Sequence, residues 1–252
     1  MNRNKLSLFI VLCCSILLIG CSSKGKKDPY QDVPEDKIYT QATEALQKKR
    51  YSKAIEAYES LDRQYPFGDN IENTHLNIIY AYYRRNEQPS ALRAADRFIR
   101  LHPSSKYIDY PYYMRGLIKS TESVGFVARF LPLDLTQRDM SDYREAFEYY
   151  DEFVARYPDS FYAPDARQRM IAIRNEIADS EMHVARYYYR RGAYLASANR
   201  AQTVLEAYPQ TPASLEALEI MADAYDKLQL ERLSKDAGEV AQASTGEYSQ
   251  GT

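Results

Sequence analysis

The segment Tyr51 to Pro66, YSKAIEAYESLDRQYP, sets a frame that most of the chain repeats. Ala54, Ile55, Tyr58, Leu61 and Tyr65 recur at three- and four-residue steps, so they fall on one face of a helix. Pro66 ends that helix, because the residue before a proline is displaced from the α region. Three other segments keep the frame: Ala91, Leu92, Ala95, Phe98 and Pro103; Ala146, Phe147, Tyr150, Phe153 and Pro158; Ser197, Ala198, Ala201, Val204 and Pro209. The small residue and the proline lie 12 positions apart in all four. One helix with so narrow an apolar stripe cannot bury it alone, whereas a stack of such helices can.

The frame resembles the second helix of the tetratricopeptide repeat, which carries a small residue, an aromatic or apolar residue further on, and a closing proline. That family also places a small residue in the preceding helix; Ala42 fits, and Gly116 is its displaced counterpart before Tyr143. With only 9 Gly in 252 residues and no strand-like alternation, the expectation is an all-α solenoid of about five helix-turn-helix repeats over 36–241.

The first residues follow another logic. Arg3 and Lys5 precede an apolar run from Leu6 to Ile19, 14 residues long, short of the roughly 20 needed to span a bilayer. This is the pattern of a secretory signal over 1–20. Its end, Leu18-Ile19-Gly20-Cys21, resembles the bacterial lipoprotein signal, which implies cleavage before Cys21 and modification of that residue with S-diacylglycerol and N-palmitoyl groups. Cys13 and Cys14 fall inside the signal, so Cys21 is the one cysteine left and no disulfide can form. Ser22 follows it rather than Asp, which by resemblance to sorted lipoproteins implies anchorage in the outer membrane, with the folded part in the periplasm. Residues 21–35 are polar, with two prolines and no periodicity, and are expected to be a flexible tether.

The first repeat begins near Glu35 or Asp36, and its first helix ends in Lys48, Lys49 and Arg50, complementing the helix dipole. The proline step from 66 to 103 is 37, near the ~34-residue period. The next step, to 158, is 55; the excess lies in 121–140 and is expected to be an inserted loop. Between Pro164 and Gly192 an apolar stripe runs unbroken except at Glu181, compatible with one long helix over 165–191 or with two meeting near Asp179-Ser180. After Pro209 a final pair follows, and 242–252 is expected to be a disordered tail.

No catalytic constellation is present: no nucleophile elbow, phosphate loop, dinucleotide fingerprint or HExxH. His75, His102 and His183 are far apart in sequence, and Glu145, Glu148 and Asp151 suit a solvated helix face. The formal charge of −2, falling to −4 once Arg3 and Lys5 are removed, speaks against nucleic acid. The expectation is a binding protein without cofactor or metal. Stacked repeats make a concave surface. The tetratricopeptide register lines it with Tyr39, Thr43 and Leu46; with Leu76, Tyr80, Tyr83 and Arg84; and with Tyr110, Tyr113 and Leu117. Tyr65 and Phe67 are placed at its mouth. Tyrosine offers large contact area at low entropy cost and keeps a hydroxyl for peptide backbone.

The signal, the repeats and the motifs Tyr65-Pro66-Phe67-Gly68, Ile79-Tyr80-Ala81-Tyr82-Tyr83, Asp96-Arg97-Phe98-Ile99-Arg100-Leu101, Tyr113-Met114-Arg115-Gly116-Leu117 and Arg191-Gly192-Ala193-Tyr194 together resemble the BamD (ComL) family of outer-membrane β-barrel assembly lipoproteins. The likeness runs to about residue 230. It implies reception of unfolded outer-membrane β-barrel proteins by the N-terminal repeats, and docking of the C-terminal repeats on BamA beside the other barrel-assembly subunits. It carries the BamA contact to Arg200, in the pair Asn199-Arg200. A pilotin-like lipoprotein, or an envelope scaffold linked to peptidoglycan or cell division, is the alternative.

Overall fold

A computed structural model describes residues 28–122 and 140–248. Every regular element among them is a helix: α1 (Glu35–Gln47), α2 (Tyr51–Gln64), α3 (Ile71–Arg84), α4 (Gln88–Leu101), α5 (Asp109–Glu122), α6 (Ser141–Arg156), α7 (Ala163–Arg190), α8 (Tyr194–Ala207), α9 (Pro212–Lys227) and α10 (Glu231–Tyr248). Each packs on the next. In addition α3 touches α5 and α7 touches α9, while successive second helices barely meet, so the first helix of each pair lies on the inner side of the stack. The architecture is an all-α tetratricopeptide-repeat solenoid of five pairs.

The frame residues explain the stacking. Ala54, Ala91, Ala146 and Ser197 are fully buried, as are Ala42 and Ala185 in the facing first helices. Ser197 substitutes for alanine by giving its hydroxyl to the Ala185 carbonyl at 2.9 Å. In the third pair the close approach falls on Gly116, where a Cβ would stand 2.6 Å from the Tyr150 ring.

The turns are equally regular. Tyr65, His102, Tyr157 and Tyr208, each before a proline, share φ near −130° and ψ of 52–60°, outside the α region that proline disfavours for its predecessor. At the other edge Lys49, Asn86, Gly192 and Gln229 each take a positive φ of 57–75° two residues past the first helix. The residue after each donates its N–H five residues back, for example Arg50 to the Ala45 carbonyl at 2.8 Å. This left-handed reversal closes the helix end.

Two expectations are corrected and one open alternative is decided. Residues 28–34 are not free tether but a strap on α2. Asp28 accepts hydrogen bonds from Ser60 at 2.7 Å and Arg63 at 2.9 Å, Gln64 donates to the Tyr30 carbonyl, and Tyr65 to the Val33 carbonyl. The partners lie 32–35 residues away, beyond any local signal. Of the two readings left open for 165–191, the single helix holds: α7 has no break at Asp179-Ser180. Ala178, Met182 and Ala185 continue its buried stripe, and Glu181 sits beside that stripe, held by Arg144 and Arg200. Last, α10 continues to Tyr248 into the expected tail, since no proline stops a helix already nucleated. The expected insertion falls almost wholly on 123–139, outside the described residues.

Two outcomes test this account. Gly116→Ala should destabilise the fold by about 1–3 kcal/mol through overpacking against Tyr150, read by thermal melting. Hydrogen bonds from Ser60, the Tyr30 N–H and Arg63 hold the Asp28 carboxyl below its usual range. A lowered carboxylate value means the strap is fully held above about pH 4 and loosens as pH falls through it. Asp28→Ala should therefore speed amide exchange over 28–34 at neutral pH, with wild type and variant converging at low pH.

Candidate functional site

The inner side of the first three pairs gathers tyrosines. On α3, Tyr80 meets Tyr51 from α2 edge to face at 6.5 Å. Arg84, one turn on, lies over both rings, 5.3 Å from Tyr51 and 5.5 Å from Tyr80, and donates to the Tyr80 hydroxyl at 2.5 Å. Tyr83, half-buried, reaches Thr121 on α5 at 3.5 Å between hydroxyls. Tyr110 is enclosed by Tyr162 at 5.8 Å and feels the Tyr80, Tyr83 and Tyr113 phenols; burial pushes its own phenol well above the usual range. On α1, Tyr39 tilts against the buried Tyr58 ring at 6.2 Å, while the Thr43 and Tyr58 hydroxyls stand 3.0 Å apart.

Other expected site residues are placed differently. Tyr113 is only 7% exposed, stacked on Tyr162 at 4.8 Å, and gives its hydroxyl to Asp165 at 2.6 Å. Burial first, then that bond, pushes its phenol up to about 12. It belongs to the core, because α6 and α7 close over its side of α5. Tyr65 gives its hydroxyl to the Val33 carbonyl at 2.9 Å and so pins the strap. Phe67 is 97% exposed on the turn between α2 and α3. Below it Gly68 lets the Glu35 carboxylate come within 2.4 Å of where a Cβ would be, and that carboxylate accepts the Asn70 N–H at 2.8 Å. Arg200 is exposed on α8 and donates to Glu181 at 3.3 Å. Cys21 lies outside the described residues.

The sequence reading missed Tyr51 and Tyr162. Tyr51 opens a second helix and Tyr162 closes a turn, so neither occupies a groove position of the repeat register. It also missed that His75 and His102 converge: their Nδ1 and Nε2 are 2.9 Å apart, and His75 Nε2 is 2.8 Å from Asp62. Burial lowers the His75 value, against the pull of Asp62. Among the described residues no three His, Cys, Asp or Glu side chains are grouped to hold a metal, and no helix is long and apolar enough to cross a membrane.

A half-open aromatic face with one guanidinium, on a rigid helical stack, can hold extended polypeptide. The helical stack that carries it is a tetratricopeptide-repeat scaffold. Residues 31–240 match the family model YfiO, described as an outer membrane lipoprotein. The chain is 36% identical over 241 residues to the outer membrane protein assembly factor BamD of Neisseria meningitidis serogroup B, covering 94% of this chain and 90% of that protein. With BamD of Vibrio cholerae it shares 39% over 214 residues, 85% of this chain and 88% of the relative. With that of Haemophilus influenzae it shares 32% over 240 residues, 95% and 91%. Among solved structures, that of MamA superposes with a TM-score of 0.33 at 15% identity, over 86% of this chain and 94% of that one. The chain belongs to the BamD family of outer-membrane protein assembly factors.

The division between core and surface tyrosines is measurable. Tyr113→Phe, which removes one hydrogen bond to Asp165 and leaves Arg169 as its partner, should lower stability by about 0.5–1.5 kcal/mol. Tyr80→Ala, at a half-open ring, should melt within about 0.5 kcal/mol of wild type.

Proposed function

We propose that this chain is a lipid-anchored subunit of the β-barrel assembly machinery. It receives unfolded outer-membrane proteins on the inner face of its first three repeats and docks on BamA through its last two. Cys21 carries the anchor. The observation that carries the reading is the half-open set Tyr39, Tyr51, Tyr80, Tyr83 and Tyr110, with Arg84 lying across two of the rings. An extended strand that is rich in aromatics and ends in a carboxylate finds there π-faces, phenol hydroxyls for its backbone and a cation for its terminus. Phe67, 97% exposed on the turn between α2 and α3, is available as a further apolar contact. Arg200 lies on α8, two pairs along, where a second partner can dock without covering the tyrosines.

A labelled C-terminal peptide of an outer-membrane β-barrel protein, titrated into the purified chain, tests the first half. Tyr80→Ala and Tyr83→Ala should each cost about 1–2 kcal/mol of binding with the helical signal unchanged. Equal affinity in the folded double variant would remove these tyrosines from the site.

A further inference from the structure

The turn that follows α4 differs from its counterpart after α6 in the two rings that close it. After α6, Tyr157 stands before Pro158 with its ring 5.3 Å from Tyr112 of α5, and Phe153 backs it at 6.2 Å. After α4 the same two places hold imidazoles. His102 stands before Pro103, 5.1 Å from the His75 ring of α3, with Phe98 behind it at 4.8 Å. A joint made elsewhere by two phenols is made here by groups that titrate near neutrality. They are also hydrogen-bonded: His75 Nδ1 is 2.9 Å from His102 Nε2, and His75 Nε2 is 2.8 Å from Asp62 Oδ1. Arg97 donates to the same carboxylate oxygen at 3.0 Å. The His75 and Asp62 side chains are 7% and 13% exposed. One polar chain thus runs from the turn through α3 to α2 and back to α4.

The number of protons on the pair decides whether it holds. With both rings neutral, His75 Nε2–H donates to Asp62, and Nδ1 accepts from His102 Nε2–H. One added proton keeps that bond, whichever ring takes it. A second puts N–H groups on both facing atoms, and the bond is lost. The surroundings give a second cation little relief. Glu59, Asp62 and Arg63 face His75 from α2, Tyr82 and Glu72 belong to α3, and Arg93 and Arg97 approach from α4. Each acid already has a partner: Tyr82 for Glu59, Arg97 for Asp62 and Ser105 for Glu72. Burial lowers the His75 value below its usual 6.5, against the pull of Asp62.

We propose that the His75–His102 pair is an acid-released latch on the joint between the second and third repeats, closed while the two rings share at most one extra proton and open when both are charged. Ser105, donating to Glu72, also ties the turn to α3, so release frees one of its ends first. The turn leads directly into α5, and its release lets Tyr110 shift against Tyr80 and Tyr83 of α3. The open state binds one proton more than the closed one. The latch is therefore held above about pH 6.5 and is lost as pH falls from there through the lowered His75 value. Against its burial, bonds from Arg97 and His75 hold Asp62 below 3.8, so that carboxylate stays charged over the same range.

The test is amide exchange of the full-length purified chain between pH 7.5 and 4.5, each rate divided by its intrinsic value. Over 102–112 the wild-type opening should rise below about pH 6.5 by close to tenfold per pH unit, the slope of one extra proton in the open state. His102→Gln keeps an amide that donates to neutral His75 and, turned over, accepts from the charged ring. It should match wild type at pH 7.5 and lack the acid rise. His75→Tyr with His102→Tyr, the pair that closes the next turn, should be flat as well. Either variant suffices once circular dichroism at pH 7.5 shows it folded. Over 157–163, at the Tyr112–Tyr157 joint, exchange should stay level in all three proteins. A wild-type rise that both variants share overturns the latch, and so does a wild-type profile with no rise. An equal rise over 157–163 makes the acid response global and overturns it too.

Discussion

The contact between small side chains inside each helix pair is the constraint on which the remainder stands. Ala54, Ala91, Ala146 and Ser197 leave no room for a larger group, and Gly116 meets the Tyr150 ring where an alanine would already collide. Close approach lets the large residues of each second helix, Tyr58, Phe98 and Phe153 among them, reach across and be buried completely. Because each pair touches mainly its neighbours, stability builds by local increments along the stack. The inner faces of α1, α3 and α5 are then rigid platforms, and the tyrosines on them are held without being consumed by the core.

The pattern of this core was legible because it is local. A small residue, an apolar stripe and a proline fall within one helix, and the turn geometry they impose recurs four times with nearly equal angles. What was not legible depends on partners far away in the chain. Asp28 reads as part of a polar linker until Ser60 and Arg63 are folded against it. Glu181 reads as a flaw in a stripe until Arg144 and Arg200 approach from two other helices.

The candidate site divides along the same line. Tyr110 and Tyr113 sit three residues apart on α5, and the repeat register gives both to the groove. Only Asp165 and Tyr162, on and beside α7, decide that Tyr113 turns inward. Tyr51 joins the face through Arg84, which bridges two helices by lying over two rings. Periodicity assigns a residue to a face of its own helix. It is silent on which neighbour covers that face.

The strap has a consequence for the proposed anchorage. On the proposal that Cys21 carries the anchor, and with Asp28 clipped to α2, seven Cα steps would join lipid to solenoid, about 25 Å at full extension. Were the strap released, the leash would run on to Glu35, twice as many steps. Effective concentration falls roughly as the three-halves power of linker length, so the tyrosine face would be about threefold more dilute at the membrane surface. Under that proposal, a few hydrogen bonds on α2 would set the local concentration at which the tyrosine face presents itself.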